Sequence, residues 1–328
     1  MQDDAGEPVV DERRIILIVG ASWRLSMIEA GEAAGASRGR AREAIEYFLW
    51  AFTPLRPMTA RDIYELVSTN AFTTRGLYLN LGYWKNARTI DEACQALAEL
   101  VGSTAAMGPG DDIVDVGFGF AAQDVFWMEH FAPRRITGLN VTPLQVRTAR
   151  ERVRALGMAD RIDLREGSAT AMQLPSASCD VVTAVECAFH FNTRELFLAE
   201  AFRVLRPGGR LVLADVIRNL PEAQPLRRMA QDFVWRTFAK KFAVPAENAD
   251  RRDAYTKKLE AAGFAEVRVE SIRNHVFPGW HRSLSQDRAL LRRLHPVGRL
   301  PYRLLLRSDA NTVYSAFDYV LASARKPS

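Results

Sequence analysis

Five short apolar runs alternate with amphipathic segments across the middle of the chain. The runs are rich in Val, Ile and Leu and have the length of strands: residues 113–116, 135–139, 162–165, 179–185 and 210–216. Apolar positions recur at helical spacing between several of them, over residues 123–130, 143–156 and 195–205. Strands separated by helices of this length are typical of a parallel sheet covered by helices on both faces.

The segments on either side extend this pattern. Thr89 and Glu92 form a capping box, which predicts the start of a helix over residues 91–104. Two further strands are expected at residues 266–272 and 317–324. We therefore predict an α/β fold with a Rossmann-like, seven-stranded, mostly parallel sheet and helices on both faces.

Additional helical segments lie outside this core. We expect helices over residues 41–53 and 62–70, before an aromatic loop at residues 76–84. Residues 221–262 are also predicted to be helical, whereas residues 1–40, with their recurring glycines and alanines, are expected to be weakly ordered. The predicted fold thus carries an N-terminal helical extension and helical cover insertions.

Composition narrows the class of protein. The chain has 328 residues, 48% hydrophobic and 25% charged, which is ordinary for a globular enzyme. A net charge of +5 is too small to indicate nucleic-acid binding. The three cysteines are widely spaced and predict neither a disulfide framework nor a metal site, so a cytoplasmic location is expected. The apolar run at residues 15–19 is too short for a signal peptide or a membrane span.

A glycine turn follows the first predicted core strand. Gly117 and Gly119 allow the backbone to turn tightly and to approach a ligand closely. With Ala122 they also satisfy the dinucleotide fingerprint, so a nicotinamide-dependent oxidoreductase is one alternative. Asp115 favours a different ligand, because a carboxylate there repels a pyrophosphate and attracts the positive methionine end of S-adenosylmethionine. Asn140, at the end of the second strand, stands where a dehydrogenase usually has an acid for the ribose.

Three downstream motifs carry a family resemblance. They are Glu166-Gly167-Ser168-Ala169, Leu174-Pro175 through Cys179-Asp180-Val181-Val182, and Leu205-Arg206-Pro207-Gly208-Gly209-Arg210-Leu211. In this order, after the glycine turn, the chain resembles the class I S-adenosylmethionine-dependent methyltransferases. It is most similar to the branch that contains sterol, tocopherol, cyclopropane-fatty-acid and natural-product methyltransferases. Residues 79–84 resemble the aromatic segment that precedes the core of that branch, and residues 317–327 resemble its last strand.

The resemblance implies a role for each matching position. Asp115, Gly117 and Gly119 line the methionine and ribose end of the donor. Asn140, with help from Gln145, takes the place of the usual ribose-binding acid. Ser168 and Ala169 stand at the adenine, in a position where Asp is usual. The remaining donor-binding candidates are Tyr83 and Trp84, whose rings close over the donor, and Glu186 beside its methionine part. No metal is expected.

The resemblance also implies a domain division. Residues 1–88 form an N-terminal helical extension and donor-covering segment. Residues 89–328 form the methyltransferase domain, with insertions at about 219–250 and 276–312.

The candidate catalytic residues follow the fourth and fifth strands. His190 suits a general base, because the ordinary pKa of histidine lies near neutral pH. Asp215 is the other candidate base. Glu186 is expected to orient His190, to bind the donor, or to stabilise a carbocation if the acceptor is an alkene. A packing role for each of these side chains stays open.

The segments outside the core are expected to select the acceptor. Residues 226–242 carry apolar and aromatic side chains fit to cover an apolar molecule, or simply to pack on the sheet. Residues 280–307 hold seven arginines and one acid, which favours either a solvated helix or contact with an anionic head group or a membrane surface. A homodimer is compatible with the sequence, and no nucleic-acid partner is expected.

These observations predict methyl transfer from S-adenosylmethionine to a small, apolar or lipid-like acceptor in specialised or lipid metabolism. Methylation of oxygen or nitrogen in a polar metabolite is the alternative. A non-catalytic S-adenosylmethionine-binding module and a nicotinamide-dependent oxidoreductase are less favoured.

Overall fold

Seven strands form the sheet at the centre of the computed structural model, which describes residues 45–50, 58–67, 73, 77–293 and 296–328. They are β1 (Asp112–Val116), β2 (Arg135–Asn140), β3 (Ile162–Glu166), β4 (Cys179–Val185), β5 (Leu205–Arg218), β6 (Ala265–Ser271) and β7 (Phe317–Arg325). Their order is β3-β2-β1-β4-β5-β7-β6. The first five strands pair in parallel, and β7 runs antiparallel between β5 and β6.

Helices cover the sheet and extend beyond it. Those in and before the core are α1 (Ala60–Val67), α2 (Ile90–Thr104), α3 (Ala122–His130), α4 (Pro143–Ala155) and α5 (Arg194–Val204). Those that follow are α6 (Pro225–Lys241), α7 (Arg252–Ala261), α8 (Arg273–Gln286), α9 (Arg288–Arg293), α10 (Pro296–Leu305) and α11 (Ala310–Val313). Short 3₁₀ helices lie at Ala188–His190 and Ala246–Asn248.

The core strands bury both of their faces, as their continuous apolar runs require. Ile113 of β1 and Val181 of β4 join the hydrophobic cluster that contains buried side chains of α2, α3 and α4. Their neighbours Val114 and Val182 join a second cluster with α5 and α7. Because successive side chains of a strand point to opposite faces, each of these strands contributes side chains to both clusters.

The predicted α/β fold is confirmed, and three local predictions need correction. The capping box of Thr89 and Glu92 begins α2 as expected. The predicted turn at residues 206–209 instead lies within β5. The pairing of β5 with β4 is irregular at this point, with a shift of register between Cys179 and Val181 of β4. The helical stretch predicted at residues 221–262 is two helices, α6 and α7, separated by a short 3₁₀ helix. The helix predicted at residues 62–70 begins earlier, at Ala60, and is described as far as Val67.

Parts of the N-terminal predictions fall outside the described residues. Of the helix expected at residues 41–53, the structure describes residues 45–50, which are helical. Residues 1–40 lie outside the described part of the chain. The described residues from 48 onward form one compact unit.

The insertion between β6 and β7 is helical and contacts the segment that precedes α2. The backbone amide of Trp84 donates to the carbonyl of His275 in α8, at 2.6 Å. Gly279 of α8 faces the same tryptophan so closely that a Cβ at this position would lie 2.2 Å from Trp84 Cβ. None of the helices in the described ranges is long and apolar enough to cross a membrane.

We expect the substitution Gly279→Ala to destabilise the protein. The added methyl group would overlap Trp84, and overpacking of this kind costs about 1–3 kcal/mol. Gly108→Ala is the matched control, because no atom lies within 4 Å of a Cβ placed there. Urea denaturation should show a lower free energy of unfolding for Gly279→Ala alone. Equal stability of the two variants would contradict the close packing of α8 on Trp84.

Candidate active site

The carboxyl ends of the first four strands meet along one edge of the sheet, and most of the predicted site residues lie there. Gly117 follows β1, Asn140 ends β2, Ser168 follows β3 and Glu186 follows β4. The strand order reverses between β1 and β4, which is where ligands bind in open α/β sheets. The amide of Gly117 donates to the carbonyl of Leu139 at 2.7 Å, which fixes the turn beside β2.

The glycine turn has a shape that other residues would not tolerate. Gly117 and Gly119 have φ angles of +73° and +58°, in the left-handed region. A Cβ at position 117 would lie 2.6 Å from Cys187 Sγ, and one at position 119 would lie 3.1 Å from Leu79 Cδ1. The turn is therefore enclosed between the end of β4 and the segment at residues 77–84.

Asp115 lies beneath this turn and is fully buried. Thr183 Oγ1 donates to one carboxylate oxygen at 2.7 Å, and Gln123 Nε2 donates to the other at 3.0 Å. Burial raises the pKa of Asp115 to about 7. Because both oxygens already accept hydrogen bonds from protein donors, this carboxylate would act on a ligand at the turn by its charge.

A second buried acid, Asp124, stands behind the turn in the first turn of α3 and was missed by the sequence analysis. Within the described residues neither of its carboxyl oxygens has a hydrogen-bond partner. Burial and the nearby Asp115 raise the pKa of Asp124 well above its ordinary value, so the neutral acid is favoured.

Glu186 connects the end of β4 to two distant parts of the chain. Its Oε1 accepts a hydrogen bond from the amide of Leu81 at 2.7 Å and another from the hydroxyl of Tyr319 at 2.6 Å. Its own φ of +53° turns the backbone sharply after the strand. Burial raises the pKa of Glu186 to about 7, so the carboxyl group exchanges protons near neutral pH.

The predicted ribose and adenine positions make local hydrogen bonds. Asn140 Nδ2 donates to Gln145 Oε1 at 2.7 Å, and Asn140 Oδ1 accepts from the amide of Thr142. Ser168 Oγ lies 3.0 Å from Thr170 Oγ1 and accepts from the amide of the same residue. These contacts hold both polar side chains at the edge of the sheet.

Two N-terminal segments lie over this edge. The segment at residues 77–84 reaches Gly119 through Leu79 and Glu186 through Leu81. In α1, Arg61 forms an ion pair with Glu166 at the end of β3. Three residues later, the hydroxyl of Tyr64 lies 3.0 Å from His190 Nε2 beyond β4. Helix α1 therefore spans the edge from β3 to β4.

Tyr83 and Trp84 have a different environment from the one expected. The ring of Tyr83 lies 5.4 Å from that of His275 in α8, measured between centroids. Trp84 is buried against Gly279, and its indole Nε1 donates to the carbonyl of Leu81. Both rings thus connect residues 77–84 to α8.

His190 is the sole histidine of the predicted catalytic set and lies on the 3₁₀ helix at Ala188–His190. Its ring is nearly buried beside Phe189, Phe242 and Tyr64. Burial lowers its pKa to about 4, so the imidazole is neutral at physiological pH. The neutral imidazole is free to accept a proton, but burial also makes it a weaker base than an ordinary histidine, whose pKa lies nearer neutral pH.

Asp215 is engaged in a way that its sequence position did not reveal. Its carboxylate accepts from Arg194 Nε at 2.9 Å and from the hydroxyl of Tyr255 at 3.2 Å. It also accepts from the backbone amide of Phe189. Both partners of the Arg194–Asp215 ion pair are fully buried. These contacts argue against Asp215 as a base and assign it to the turn that carries His190.

The apolar residues of α6 divide into two groups. Leu226, Met229 and Phe233 are exposed, whereas Trp235 is buried. Phe238 contacts Phe189, Phe242 and Phe317 by its ring, next to His190. Phe238 therefore forms, with Phe189 and Phe242, an aromatic wall beside His190.

Comparisons with known proteins identify the family of the chain. The family model described as a methyltransferase domain matches residues 114–213. Erythromycin 3''-O-methyltransferase of Saccharopolyspora erythraea is 36% identical over 87% of this chain and 96% of its own length. The 27-O-demethylrifamycin SV methyltransferase of Amycolatopsis mediterranei is 28% identical over 77% of this chain and 91% of its own. A geranyl diphosphate methyltransferase solved with S-adenosylmethionine has a similar fold, with a TM-score of 0.57 and 20% identity over 72% of this chain and 87% of its own.

We expect the binding of S-adenosylmethionine to release protons near pH 7. Asp115 and Glu186 are partly protonated there, and a positively charged ligand lowers their pKa values by stabilising the ionised forms. The affinity should therefore rise with pH, by at most about tenfold per pH unit for each proton released. Calorimetry in two buffers with different ionisation enthalpies measures this release.

The variant Glu186→Gln is the control for this measurement, since it removes one of the two titrating groups. Its proton release should be smaller and its affinity less dependent on pH. Affinity for S-adenosylmethionine that is the same at pH 6 and pH 8, without proton release, would contradict the buried carboxylates as the donor site.

Proposed function

Because the chain belongs to the class I S-adenosylmethionine-dependent methyltransferases, we propose that it methylates a hydroxyl oxygen of an erythromycin-like natural product. The proposed base is His190. One observation carries the choice of oxygen: the neutral imidazole of His190 lies 3.0 Å from a hydroxyl group, that of Tyr64, next to Glu186. Similarity to a 3''-O-methyltransferase over most of both chains supports the choice of acceptor.

The site fits the methyl donor. The glycine turn offers a cradle that a Cβ would fill, and Asp115 and Glu186 supply buried carboxyl groups beside it. S-adenosylmethionine, when bound, supplies an electrophilic methyl group. Residues proposed to hold it are Asp115, Gly117, Gly119, Asn140, Gln145, Ser168, Ala169 and Glu186. We propose that Tyr83 and Trp84 act on the donor indirectly, by holding residues 77–84 against α8.

The protein's own groups would then position and deprotonate the acceptor. His190 Nε2 would accept the proton of the acceptor hydroxyl. The new bond from that oxygen to the methyl group would replace the methyl–sulfur bond and S-adenosylhomocysteine would leave, which needs in-line placement at near-attack distance. The aromatic wall of Phe189, Phe238 and Phe242 excludes water and covers an apolar acceptor. This wall does not favour a polar metabolite as the acceptor.

We expect His190→Ala to lower kcat by about 10²- to 10⁴-fold, the usual contribution of a general base. The acceptor probe is erythromycin that lacks the 3''-O-methyl group. The dissociation constant of S-adenosylmethionine should stay within about twofold, because donor binding does not depend on deprotonation of the acceptor. His130→Ala, in an exposed histidine at the end of α3, is the control. Undiminished turnover by His190→Ala would remove His190 from the mechanism.

We further propose that the arginine-rich insertion contacts an anionic surface. Leu300, Leu304 and Leu305 of α10 are exposed, and Arg299 and Arg303 lie on the same helix. Exposed leucines interleaved with arginines are typical of helices that lie on anionic membranes. The homodimer and the cytoplasmic location stay predictions from the sequence.

Vesicle sedimentation tests this contact. The protein should sediment with phosphatidylglycerol vesicles and less with phosphatidylcholine vesicles, and the double variant Leu300→Ser, Leu304→Ser should weaken the binding several-fold. The matched control is Leu226→Ser, a leucine on α6 that is more exposed than either of them. Equal sedimentation with both kinds of vesicle would favour a merely solvated helix.

A further inference from the structure

Asn248 is a fully buried side chain that forms hydrogen bonds with the turn on which His190 lies. Its Nδ2 donates to the carbonyl of Phe189 at 3.1 Å and to that of Phe191 at 2.7 Å. Its Oδ1 accepts from the amide of Arg194 at 2.9 Å. One amide group therefore binds the backbone on both sides of His190 and the first residue of α5.

A buried ion cluster of Arg194, Asp215 and Asp250 contacts the same turn from the side of β5. Arg194 Nε donates to Asp215, and its Nη1 donates to Asp250 at 2.7 Å and to the carbonyl of Asn248 at 2.6 Å. Asp215 accepts in turn from the amide of Phe189 at 3.2 Å. The carbonyl and the amide of Phe189 are thus held by two different side chains.

The turn has few backbone hydrogen bonds of its own, although its side chains pack against Phe238, Phe242 and Tyr64. The 3₁₀ helix is three residues long, and its local hydrogen bonds run from His190 N to the Cys187 carbonyl and from Phe191 N to the Ala188 carbonyl. Loss of the Asn248 amide would leave two carbonyls beside His190 without their donor, which is costly in a buried site. The backbone would then shift to find new partners.

We propose that Asn248 is a positioning residue, which fixes the imidazole of His190 at the distance and angle needed to deprotonate the acceptor. The proposal rests on the proposed function, because it takes His190 as the base. The Arg194–Asp215 pair helps to hold the same turn, because Asp215 accepts from the amide of Phe189. These buried charges therefore have a role beyond the stability of the fold.

A purely structural role for Asn248 makes a different prediction from a positioning role. A structural residue affects the whole protein and costs the same factor in any background. A positioning residue acts through His190, so its effect on kcat disappears once His190 is removed. A double-mutant cycle separates the two.

The experiment compares Asn248→Asp and Asn248→Ala, each in the native and in the His190→Ala background, with demethylated erythromycin as acceptor. Asn248→Asp keeps the size and the acceptor atom but loses the amide donor. Displacement of a catalytic group by about 1 Å costs up to about 10²-fold, so kcat should fall about 10- to 100-fold with the KM for S-adenosylmethionine unchanged. In the His190→Ala background the further loss should stay below about twofold.

Asn219→Asp is the matched control, because the Asn219 amide also donates to a backbone carbonyl, that of Ser315, in a half-buried contact away from the His190 turn. It should leave kcat within about twofold of the native value. An equal loss from the Asn248 variants in both backgrounds, or no loss in either, would overturn the proposal.

A second readout does not depend on the acceptor and keeps failure of the proposed function distinguishable. Histidine NMR titration should find His190 with a pKa near 4 in the native chain, where burial and, to a smaller extent, Arg194 disfavour the charged ring. In Asn248→Ala, which adds no charge beside the ring, the pKa should move toward the ordinary value near 6.5 as the turn loosens, whereas Asn219→Asp should leave it unchanged. If the native chain does not methylate the probe but His190 responds in this way, the positioning role stands and the acceptor is wrong. A His190 resonance that does not respond to Asn248→Ala would overturn the positioning role.

Discussion

The guanidinium of Arg194, buried without contact with water, is the constraint on which the arrangement of the site depends. A charge in such a position must find both counter-charges and hydrogen-bond acceptors, and removal of one partner from a buried pair typically costs about 3–5 kcal/mol. Asp215 and Asp250 supply the charges, while the carbonyls of Asn248 and Val216 take further N–H groups. The contacts of this one guanidinium thereby join α5, β5 and the connection before α7 into a frame, which supports the turn after β4.

The two sides of that frame have opposite electrostatic character. On the donor side, Asp115 and Glu186 are acids whose pKa burial raises to about 7, so they gain charge most readily when a cation is beside them. On the acceptor side, burial lowers the pKa of His190 to about 4 and keeps it neutral. Methyl transfer from a sulfonium to a hydroxyl needs this pairing: a place that favours positive charge next to a base that is free to take a proton.

The sheet and the glycine turn after β1 were predictable from the sequence, because both follow from local sequence patterns. The apolar runs located the core strands, and two glycines located the turn after β1. The contacts that distinguish the catalytic end were not predictable, since they join residues far apart in the chain. Tyr64 and His190 are 126 positions apart, and Glu186 and Tyr319 are 133 apart. Asp215 illustrates the limit: its position near the end of the predicted fifth strand is compatible with a base, and only its partners in space reveal a buried ion pair.

The most direct test of the account is a crystal structure with S-adenosylhomocysteine and erythromycin that lacks the 3''-O-methyl group. The account predicts that the 3'' hydroxyl lies about 3 Å from His190 Nε2, the position at which the Tyr64 hydroxyl now stands. The sulfur should lie next to Glu186 and the glycine turn. An acceptor oxygen held by another side chain, with the His190–Tyr64 hydrogen bond intact, would contradict the account.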